Sequence, residues 1–508
     1  MMKKSDSIFE EFGVSFNKVQ QDIDAKQSLF IPLSPSTQCR TPTPKNSICP
    51  GKEIVEYLPN FEFESILNSE SQKHNHTQLC LFSKIEHASL QVFGPFKYKE
   101  SGLIYHGQYL DGLKHGKGLE LDPTGHVYDG YYEHDVFNGP GCHYLPDGTF
   151  FIGFHKNGHR EGKGKLINPS GVLYNGLWNI GQRHGYGVRK WTDGRVYEGE
   201  WCNNKKAGQG KFAWPDGKWY KGEFEDDQMG GQGILHWPDG RHYTGEFKND
   251  ARTGQGTMKW SDKSVYEGEW LKNAKHGMGK LATIDGIVYE GQFKDDCKCG
   301  FGKIIYKDGS YYEGDWSNDL RNGEGTRVWS DGKKYIGEWN NDKMNGKGKL
   351  IKKDGRTYTG TFKDGSIHGF GIFIWPDGSS HQGSWSFDRR DGQGIFISAK
   401  GYKYLGHFKN DLKHGYGVYT CADGSSYTGD WFDDKRHGKG IKVWADGSTY
   451  SGIWYNNNMD GIGVMKATDG TIFEGSWKNG IKNGKFTIVY PDGTRVEAMF
   501  NDDKMIMH

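Results

Sequence analysis

A single 23-residue unit fills most of this sequence and limits what the chain can fold into. In the copy that runs from Tyr197 to Trp219, YEGEWCNNKKAGQGKFAWPDGKW, a glycine stands between a tyrosine and a tryptophan. Self-similarity at a fixed period is typical of repeat proteins, in which each unit packs on its neighbours. The glycine recurs every 23 residues, without insertion or deletion, at 17 positions: Gly107, Gly130, Gly153, Gly176, Gly199, Gly222, Gly245, Gly268, Gly291, Gly314, Gly337, Gly360, Gly383, Gly406, Gly429, Gly452 and Gly475.

The alternation of side chains predicts two β-strands per unit and one apolar face. Tyr197, Gly199 and Trp201 fall on one side of a strand, because successive side chains point to opposite faces. In the second strand, Gly210 and Phe212 share that side by the same parity. A glycine between two rings leaves a trough that the ring of an adjacent strand can fill. Only 34% of the residues are hydrophobic, so burial must rest on the 28 Tyr, 28 Phe and 17 Trp.

Asp-Gly dipeptides, such as Asp216-Gly217 and Asp239-Gly240, separate most of the units. This dipeptide is typical of tight hairpin turns, because it supplies residues with positive φ. The stretch CNNKKA at 202–207 is interpreted as a polar loop. One copy carries Lys263 in place of the turn glycine, which predicts a left-handed Lys263 or a locally altered turn.

The predicted fold is all-β, an elongated single-layer antiparallel β-meander solenoid of about 17 tandem hairpin repeats. One hairpin cannot be stable alone, so the units must stack and pair edge to edge. We predict a mostly irregular N-terminal extension with room for short amphipathic helices at 1–78, a degenerate N-terminal cap at 79–99, the repeat array at 100–498 and a C-terminal tail at 499–508. The open terminal edges make a homodimer a reasonable expectation.

The N-terminal extension contains a proline-rich stretch and an apolar cluster. Four prolines between residues 32 and 45 predict an extended, exposed segment. Ser34, Thr41 and Thr43 each precede a proline, so this segment is either an unmodified linker or a target of phosphorylation. The apolar cluster lies between Ile54 and Leu67. We expect it to cover the unpaired edge of the first hairpin, with docking on a foreign partner as the alternative.

Charge and cysteine usage argue against several classes of protein. The 65 basic residues balance 64 acidic ones, so the chain lacks the positive excess typical of nucleic-acid binding or of a polybasic membrane clamp. The eight cysteines share no repeat position and form no CxxC pair, which fits a reducing compartment. No apolar run reaches the roughly 18 residues of a membrane span, and the N-terminus lacks the apolar core of a signal peptide. We therefore expect a cytoplasmic or cytoskeletal protein that binds no nucleic acid.

The repeat resembles that of a known family. Tyr-x-Gly-x-Trp/Phe, with a Gly-x-Gly nine residues after the first glycine, is similar to the membrane occupation and recognition nexus (MORN) repeat. YEGEW at 197–201 and 266–270 and YEGDW at 312–316 carry this resemblance. The departures are His155, His381 and the last copy, where Val496, Ala498 and Phe500 replace Tyr, Gly and Trp. The resemblance implies an elongated sheet of hairpins and a scaffolding role, as in cytoskeletal and ciliary proteins that include radial-spoke heads. Other members are membrane-junction proteins or carry lipid-kinase or methyltransferase domains.

No catalytic or metal-binding set stands out from the repeat. The HGKG segments at 115–118 and 437–440 lack the GxxxxGK[ST] spacing of a phosphate loop. Cys297 and Cys299 are a weak metal candidate beside His276. We expect no enzymatic activity, no cofactor and no metal. The histidines that share one repeat position lie too far apart to share a metal: His115, His184, His276, His368, His414 and His437.

Rings and carboxylates of the middle repeats are the residues considered for partner binding. The rings would line a trough for a helix or strand of a partner: Tyr197, Trp201, Tyr266, Trp270, Tyr312 and Trp316. The carboxylates form a stripe: Glu200, Glu223, Glu246 and Glu269. This stripe is either a solvated face with cross-strand lysine partners or an electrostatic docking strip.

The favoured function is a non-catalytic scaffold of the cytoskeleton or of the ciliary axoneme, similar to radial-spoke components. Its partners would be other proteins of a large assembly. One alternative is a peripheral membrane protein that binds phosphoinositides, although the near-zero net charge and the absence of a lipidation motif count against it. A second alternative is a regulatory subunit of an enzyme complex.

Overall fold

The computed structural model describes the backbone of Val55–Tyr57, then residue 90 and residues 92–507. These residues form one antiparallel sheet of 38 strands and contain no helix. Each strand pairs with the strand before it and the strand after it in the chain. The predicted all-β meander of tandem hairpins is confirmed. The predicted N-terminal helices, the proline-rich stretch and most of the apolar cluster lie outside the described residues.

The strands of the first half alternate between seven and nine residues once the array begins. They are β1 (Val55–Tyr57), β2 (Val92–Tyr98), β3 (Ile104–Leu110), β4 (Leu113–Leu121), β5 (Val127–Glu133), β6 (Val136–Tyr144), β7 (Phe150–Lys156), β8 (His159–Ile167), β9 (Leu173–Asn179), β10 (Gln182–Lys190), β11 (Val196–Cys202), β12 (Lys205–Ala213), β13 (Trp219–Glu225), β14 (Gln228–His236), β15 (His242–Lys248), β16 (Ala251–Lys259), β17 (Val265–Leu271), β18 (Ala274–Ala282) and β19 (Val288–Lys294).

The second half continues the same alternation up to the last strand. Its strands are β20 (Cys297–Ile305), β21 (Tyr311–Ser317), β22 (Leu320–Val328), β23 (Lys334–Asn340), β24 (Lys343–Ile351), β25 (Thr357–Lys363), β26 (Ser366–Ile374), β27 (Ser380–Ser386), β28 (Arg389–Ile397), β29 (Lys403–Lys409), β30 (Leu412–Thr420), β31 (Ser426–Phe432), β32 (Lys435–Val443), β33 (Thr449–Tyr455), β34 (Asn458–Lys466), β35 (Ile472–Lys478), β36 (Ile481–Val489), β37 (Arg495–Asn501) and β38 (Lys504–Met507).

The glycine columns meet at the centre of each strand pair from β3 to β35. Gly199 of β11 lies opposite Gly210 of β12, which in turn lies opposite Gly222 of β13. Beyond Gly199 the register of the hairpin shifts, so that Glu200 faces Ala207. Two residues of β12 therefore bulge out between the paired positions. Because two residues, an even number, are inserted, the side chains on both sides of the bulge remain on the faces predicted for them.

The core lies on one face, which we call the inner face, and consists of rings packed into glycine troughs. The ring of Tyr197 lies so close to the backbone that a Cβ on Gly210 would be 2.6 Å from its Cε2 atom. Tyr197 is fully buried, and its ring packs edge to face against Trp201 of its own repeat and Phe224 of the next, with ring centroids 5.1 and 5.0 Å apart. The predicted packing role of the glycine is thus confirmed, because only a residue without Cβ admits the ring.

Two kinds of turn connect the strands, and one of them differs from the prediction. The segment 202–207, interpreted as a polar loop, is a two-residue turn between β11 and β12. Asn203 and Asn204 both have positive φ, 49° and 70°. Such a turn matches the twist of its strands, and Asn and Asp tolerate its left-handed conformation. The strands therefore extend further toward this edge than the sequence indicated.

The Asp-Gly dipeptide was predicted to supply the positive-φ residues of its turn, and the aspartate differs from this prediction. Only the glycine has positive φ, 89° at Gly217 and at Gly240. The aspartate instead accepts a hydrogen bond at its carboxylate, since the Lys218 N–H lies 2.9 Å from Asp216 Oδ1. The glycine N–H donates a hydrogen bond to the carbonyl oxygen of the tryptophan before the turn, with 3.1 Å between Gly240 N and Trp237 O. The left-handed conformation predicted for Lys263 is confirmed, with φ of 72° in an unaltered turn whose Lys263 N lies 3.0 Å from Trp260 O.

Replacing Lys263 with glycine should stabilise this turn. A left-handed non-glycine residue costs about 1 kcal/mol, and the freedom of glycine in the unfolded chain offsets part of the gain. We expect slower hydrogen exchange in peptides that span β16 and β17 of the Lys263→Gly chain. Lys259→Gly, in the extended backbone of β16, is the control and should accelerate exchange. Equal protection in both variants would contradict the role assigned to positive φ.

Strands also occur in two segments that were predicted to be outside the array. Val55–Tyr57, in the extension predicted as mostly irregular, pairs with β2, so the strand beside the cap comes from this segment. At the other end the sheet continues through β37 and β38 into the predicted tail. The turn between them repeats the two-residue form, with φ of 49° at Asp502 and 64° at Asp503. The side chain of Phe486, 1% exposed, stands at a glycine position and packs against Phe500, which completes the core where the tyrosine is missing.

Candidate interaction surface

The six rings considered for partner binding are buried within the array. Their exposed fractions are at most 6%: Tyr197, Trp201, Tyr266, Trp270, Tyr312 and Trp316. The polar atoms of these rings bond the backbone of their own sheet. Tyr197 Oη donates to the carbonyl oxygen of Glu200 at 2.8 Å, and Trp201 Nε1 donates to that of Gly187 at 3.1 Å. Burial raises the pKa of the Tyr197 hydroxyl. In this structure the rings hold neighbouring repeats together and present almost no surface to a partner.

Cationic side chains cover the rings, a contact that was not predicted from the sequence. The guanidinium carbon of Arg183 lies 4.6 Å from the ring centre of Trp201, and that of Arg321 lies 4.4 Å from Trp339. Arg321 also donates from Nε to Asp342 Oδ1 at 2.8 Å. A planar guanidinium can stack on a ring and form an ion pair at once. The sequence pattern that could have predicted this contact is a column of mostly Arg, Lys and Met five residues after each Trp or Phe.

The carboxylates of the acidic stripe bond the backbone at the bulge, and not the cross-strand lysines that were one expectation. Their side chains accept hydrogen bonds from the amides nine residues later, which the bulge leaves without a strand partner. The distances are 3.3 Å from Gln209 N to Glu200, 3.3 Å from Gln232 N to Glu223, 3.0 Å from Gln255 N to Glu246 and 2.9 Å from Met278 N to Glu269. Glu200 and Glu223 are exposed, whereas Glu246 and Glu269 are half-buried. The stripe therefore stabilises the bulge.

Each two-residue turn is hydrogen-bonded to the start of the second strand of the preceding hairpin, and we call this edge the turn ladder. Asn204 N donates to the carbonyl oxygen of Arg183 at 3.0 Å, and Arg183 N donates back to Asn204 Oδ1 at 3.0 Å. Asp227 and Lys206 repeat the pair one repeat later, at 3.1 and 2.9 Å. Asn204 and Asp227 thus combine the left-handed conformation with a side-chain bond to the preceding hairpin, whereas a glycine at this position, such as Gly181, makes only the backbone bond.

The histidine column lies beside this edge of the sheet. The Nδ1 atoms of these histidines are buried: His115, His184, His276, His368, His414 and His437. Across residues 90–507 no group of three or more His, Cys, Asp or Glu side chains is placed to hold a metal ion. In the pairing of β20 with β19, Cys297 lies opposite Lys294 and Cys299 lies opposite Gln292. No helix among the described residues could cross a membrane.

The side of the sheet opposite the core, which we call the outer face, is where the repeats differ. At the N-terminal end it carries a packed apolar cluster that includes Val127, Cys142 and Tyr144, which are 0%, 6% and 2% exposed. In the middle it is charged, with exposed Glu198 in β11. Toward the C-terminal end it is apolar and open, as Tyr416 at 63% exposed illustrates.

This geometry defines a tandem β-hairpin repeat protein whose units contact only their neighbours along the chain. The family profile of the MORN repeat matches 17 segments that together make up more than half of the chain: residues 105–127, 128–150, 151–172, 174–194, 197–219, 220–240, 243–265, 266–288, 289–311, 312–334, 335–355, 358–380, 381–401, 404–426, 427–449, 450–472 and 473–495. The chain therefore belongs to the MORN-repeat family.

Solved structures with some likeness to this sheet share little sequence with it. The TCP domain of Drosophila melanogaster SAS-4, solved with a proline-rich motif of Ana2, is 16% identical, covers 35% of this chain and 85% of its own, and has a TM-score of 0.17. The TCP10 domain of Danio rerio CPAP with a STIL peptide is 14% identical, covers 56% and 95%, and has a TM-score of 0.14. At these TM-scores the likeness supports no functional argument. No curated protein sequence matches the chain.

Proposed function

We propose that this chain is a non-catalytic scaffold that presents the outer face of its sheet to partner proteins of a large assembly in the cytoskeleton or the ciliary axoneme. One observation carries the proposal. The inner-face rings, the central glycines and the turn residues all serve contacts between repeats, as Tyr197, Gly210 and Asn204 illustrate. The outer face is not needed for these contacts, and its side chains change from apolar to charged and back to apolar along the array. A rigid surface with distinct zones suits the ordered placement of several partners.

Membership of the MORN-repeat family agrees with this role, because its units are stacking modules. The outer face offers charged and apolar zones on one continuous sheet, whereas a small-molecule site requires a concave pocket with convergent polar groups. The cytoskeletal setting is an inference from the resemblance of the repeat to those of cytoskeletal and ciliary proteins. It extends the family assignment to a place in the cell.

Detergent extraction of ciliated cells that express the tagged full-length chain tests the proposal. We expect the chain to remain with the detergent-insoluble cytoskeleton and with demembranated axonemes. The control is a chain with Gly210→Ala and Gly348→Ala, which should disrupt the array and move to the soluble fraction. Gly348 is the equivalent glycine of β24, and a Cβ there would lie 2.5 Å from Tyr335 Oη. Complete release of the parent chain by detergent would contradict the proposal.

Flotation of the purified chain on vesicles addresses the alternative of a peripheral membrane protein. Vesicles of phosphatidylcholine with or without a phosphoinositide are the probe, at physiological salt. A scaffold of the kind proposed should stay at the bottom of the gradient. Robust flotation would favour the membrane alternative and overturn the proposal.

A further inference from the structure

The outer face contains an uncharged, aliphatic row near its C-terminal end. Across β26 to β34 the residues that face one another strand by strand include six aliphatic side chains: Ile372, Ile395, Leu405, Val418, Ile441 and Val464. The three remaining positions of this row are a glutamine, a threonine and a serine. We call these nine residues the aliphatic row.

The same nine positions in the middle of the array are mostly charged. Across β12 to β20, six of the nine are lysine or glutamate: Lys211, Lys221, Glu267, Lys280, Glu290 and Lys303. All these positions have the same relation to the glycine columns, so the requirements of the fold do not explain the difference. The aliphatic row is a local property of the C-terminal zone.

The aliphatic row is open to solvent and is widened by larger side chains. Ile372, Leu405 and Ile441 are 40%, 47% and 47% exposed. Phe370 and Ile462, two residues before the row on their strands, are 58% and 72% exposed. A contiguous exposed apolar patch on a folded protein marks an interaction site.

The position of the row within the sheet excludes one mode of binding. Each strand from β26 to β34 is hydrogen-bonded to a neighbour on both sides. A peptide strand adds to a sheet at a free edge, so β-augmentation is closed to a partner here. A partner element that lies flat on this zone must satisfy its backbone internally, which an α-helix does.

The spacing of the row matches that of a helix that runs across the strands. Neighbouring strands are about 4.8 Å apart, so equivalent residues of successive repeats, such as Ile372 and Ile395, recur every 9.6 Å or so. Residues seven apart in a helix lie about 10.5 Å apart. From Ile372 to Val464 the row spans four repeats, on the order of 38 Å, which about 26 residues of helix cover.

The charges beside the row favour one kind of helix. Among the outer-face residues two positions from the row on their strands, Lys403, Lys439 and Lys466 are exposed, and the one acidic residue is Asp430. A helix with acidic residues beside its apolar stripe would complement this excess.

We propose that the aliphatic row is the docking site for an acidic amphipathic α-helix of a partner protein, with an apolar residue at every seventh position along about four heptads. This assignment rests on the proposed scaffold function and names the class of partner. The helix lies across the strands, with its apolar stripe on the row and its acidic flanks near the three lysines.

Fluorescence polarisation with the full-length chain tests the proposal. The probe is a labelled 28-residue helical peptide with leucine at the first position of each heptad, alanine at the fourth and glutamate on both flanks. Its control is a scrambled peptide of the same composition. We expect the heptad peptide to bind at least tenfold more tightly than the scrambled one. Equal binding of the two peptides would overturn the proposal.

Two variants locate the binding on the sheet. Ile395→Lys with Ile441→Lys should weaken the peptide at least tenfold, and Ile395→Thr with Ile441→Thr should weaken it while keeping residues that favour strands. Thr257→Lys, at the equivalent position of β16, is the matched control and should bind as the parent does. Unchanged far-UV circular dichroism establishes that the variants fold. Equal losses in the row variants and in Thr257→Lys would contradict the assignment.

Other occupants of the row would give different results. If the row variants abolished a concentration-dependent dimer of the parent in light scattering, the occupant would be a second copy of this chain. If they abolished flotation on vesicles of phosphatidylcholine and phosphatidylserine, the occupant would be a membrane. Either result overturns the helix. Retention of the chain in the cytoskeletal fraction is measured separately, so the helix can fail while the scaffold function stands.

Discussion

Replacing Gly210 with alanine should open the sheet locally and cost about 3–5 kcal/mol, the range measured when a large buried aromatic loses its packing. The new Cβ would lie 2.6 Å from the Cε2 and Oη atoms of Tyr197. The ring cannot move aside, because Trp201 and Phe224 pack against it edge to face. Tyr197 must therefore leave the trough, and the two neighbouring repeats lose their shared contact.

Hydrogen exchange of the full-length Gly210→Ala chain checks this result. Protection should fall in β11 to β13 and persist in distant repeats, since each unit contacts only its neighbours. Lys211→Ala, the next residue on the outer face, is the control; it loses a cation–π contact with Trp219, 5.4 Å from its ring centre, and should change stability by about 1 kcal/mol or less. Parent-like protection in the alanine variant would show that the trough does not require glycine.

Replacing His381 with tyrosine should remove a weakness of the array at acidic pH. His381 stands in the tyrosine column, is 0% exposed, and has no hydrogen-bond partner at either ring nitrogen. Burial lowers the pKa of its imidazole from 6.5 to about 4, and the charge of Arg390 adds to this effect. A tyrosine would donate to the backbone as Tyr358 Oη does to the carbonyl oxygen of Thr361, at 3.2 Å.

The sign of the pH effect follows from the lowered pKa of His381. Between pH 6.5 and 4 the unfolded chain binds a proton at this imidazole and the folded chain does not, so stability falls as the pH decreases. With respect to protonation of His381, the folded chain has its full stability above pH 6.5 and loses it progressively as the pH falls toward 4. At pH 5 the loss is on the order of 2 kcal/mol, at about 1.4 kcal/mol per unit of pKa.

Thermal unfolding at pH 7.5 and pH 5 measures this difference. The stability gain of His381→Tyr over the parent should be larger at pH 5. The exposed His159, replaced by tyrosine, is the control and should give the same difference at both pH values. A gain that does not depend on pH would contradict the role of imidazole protonation.

The repeat sequence was sufficient to predict the strands, their inner face and the packing role of the glycines. Period-2 alternation around Gly199 places Tyr197 and Trp201 together, and the structure buries both. The conformation of Lys263 was predictable because it replaces a glycine at a position that requires positive φ. In each case the local chemistry of one residue type determines the geometry.

The bulge within each hairpin and the contacts between repeats were harder to predict. The bulge at Gly208 is not visible in Gly-x-Gly, because nothing in the spacing indicates which glycine adopts positive φ, here 54° at Gly208. The second function of Asn204 was missed for a related reason. Its side chain bonds a residue 21 positions earlier, and a local turn motif contains no information on that partner. The hydrogen bond of Glu200 to the Gln209 amide was missed because it depends on the bulge, which the sequence did not reveal.

The turn ladder makes the length of the array adjustable in fixed steps. Each repeat bonds the one before it through the same pair of positions, as Asn204 with Arg183 and Asp227 with Lys206 illustrate. Removal of any 23 consecutive residues from the interior would rejoin equivalent atoms and leave every side chain on its original face. The sheet would shorten by about 10 Å, two strand spacings. Genetic duplication or loss of whole units can therefore set the distance between binding sites at the two ends of the sheet.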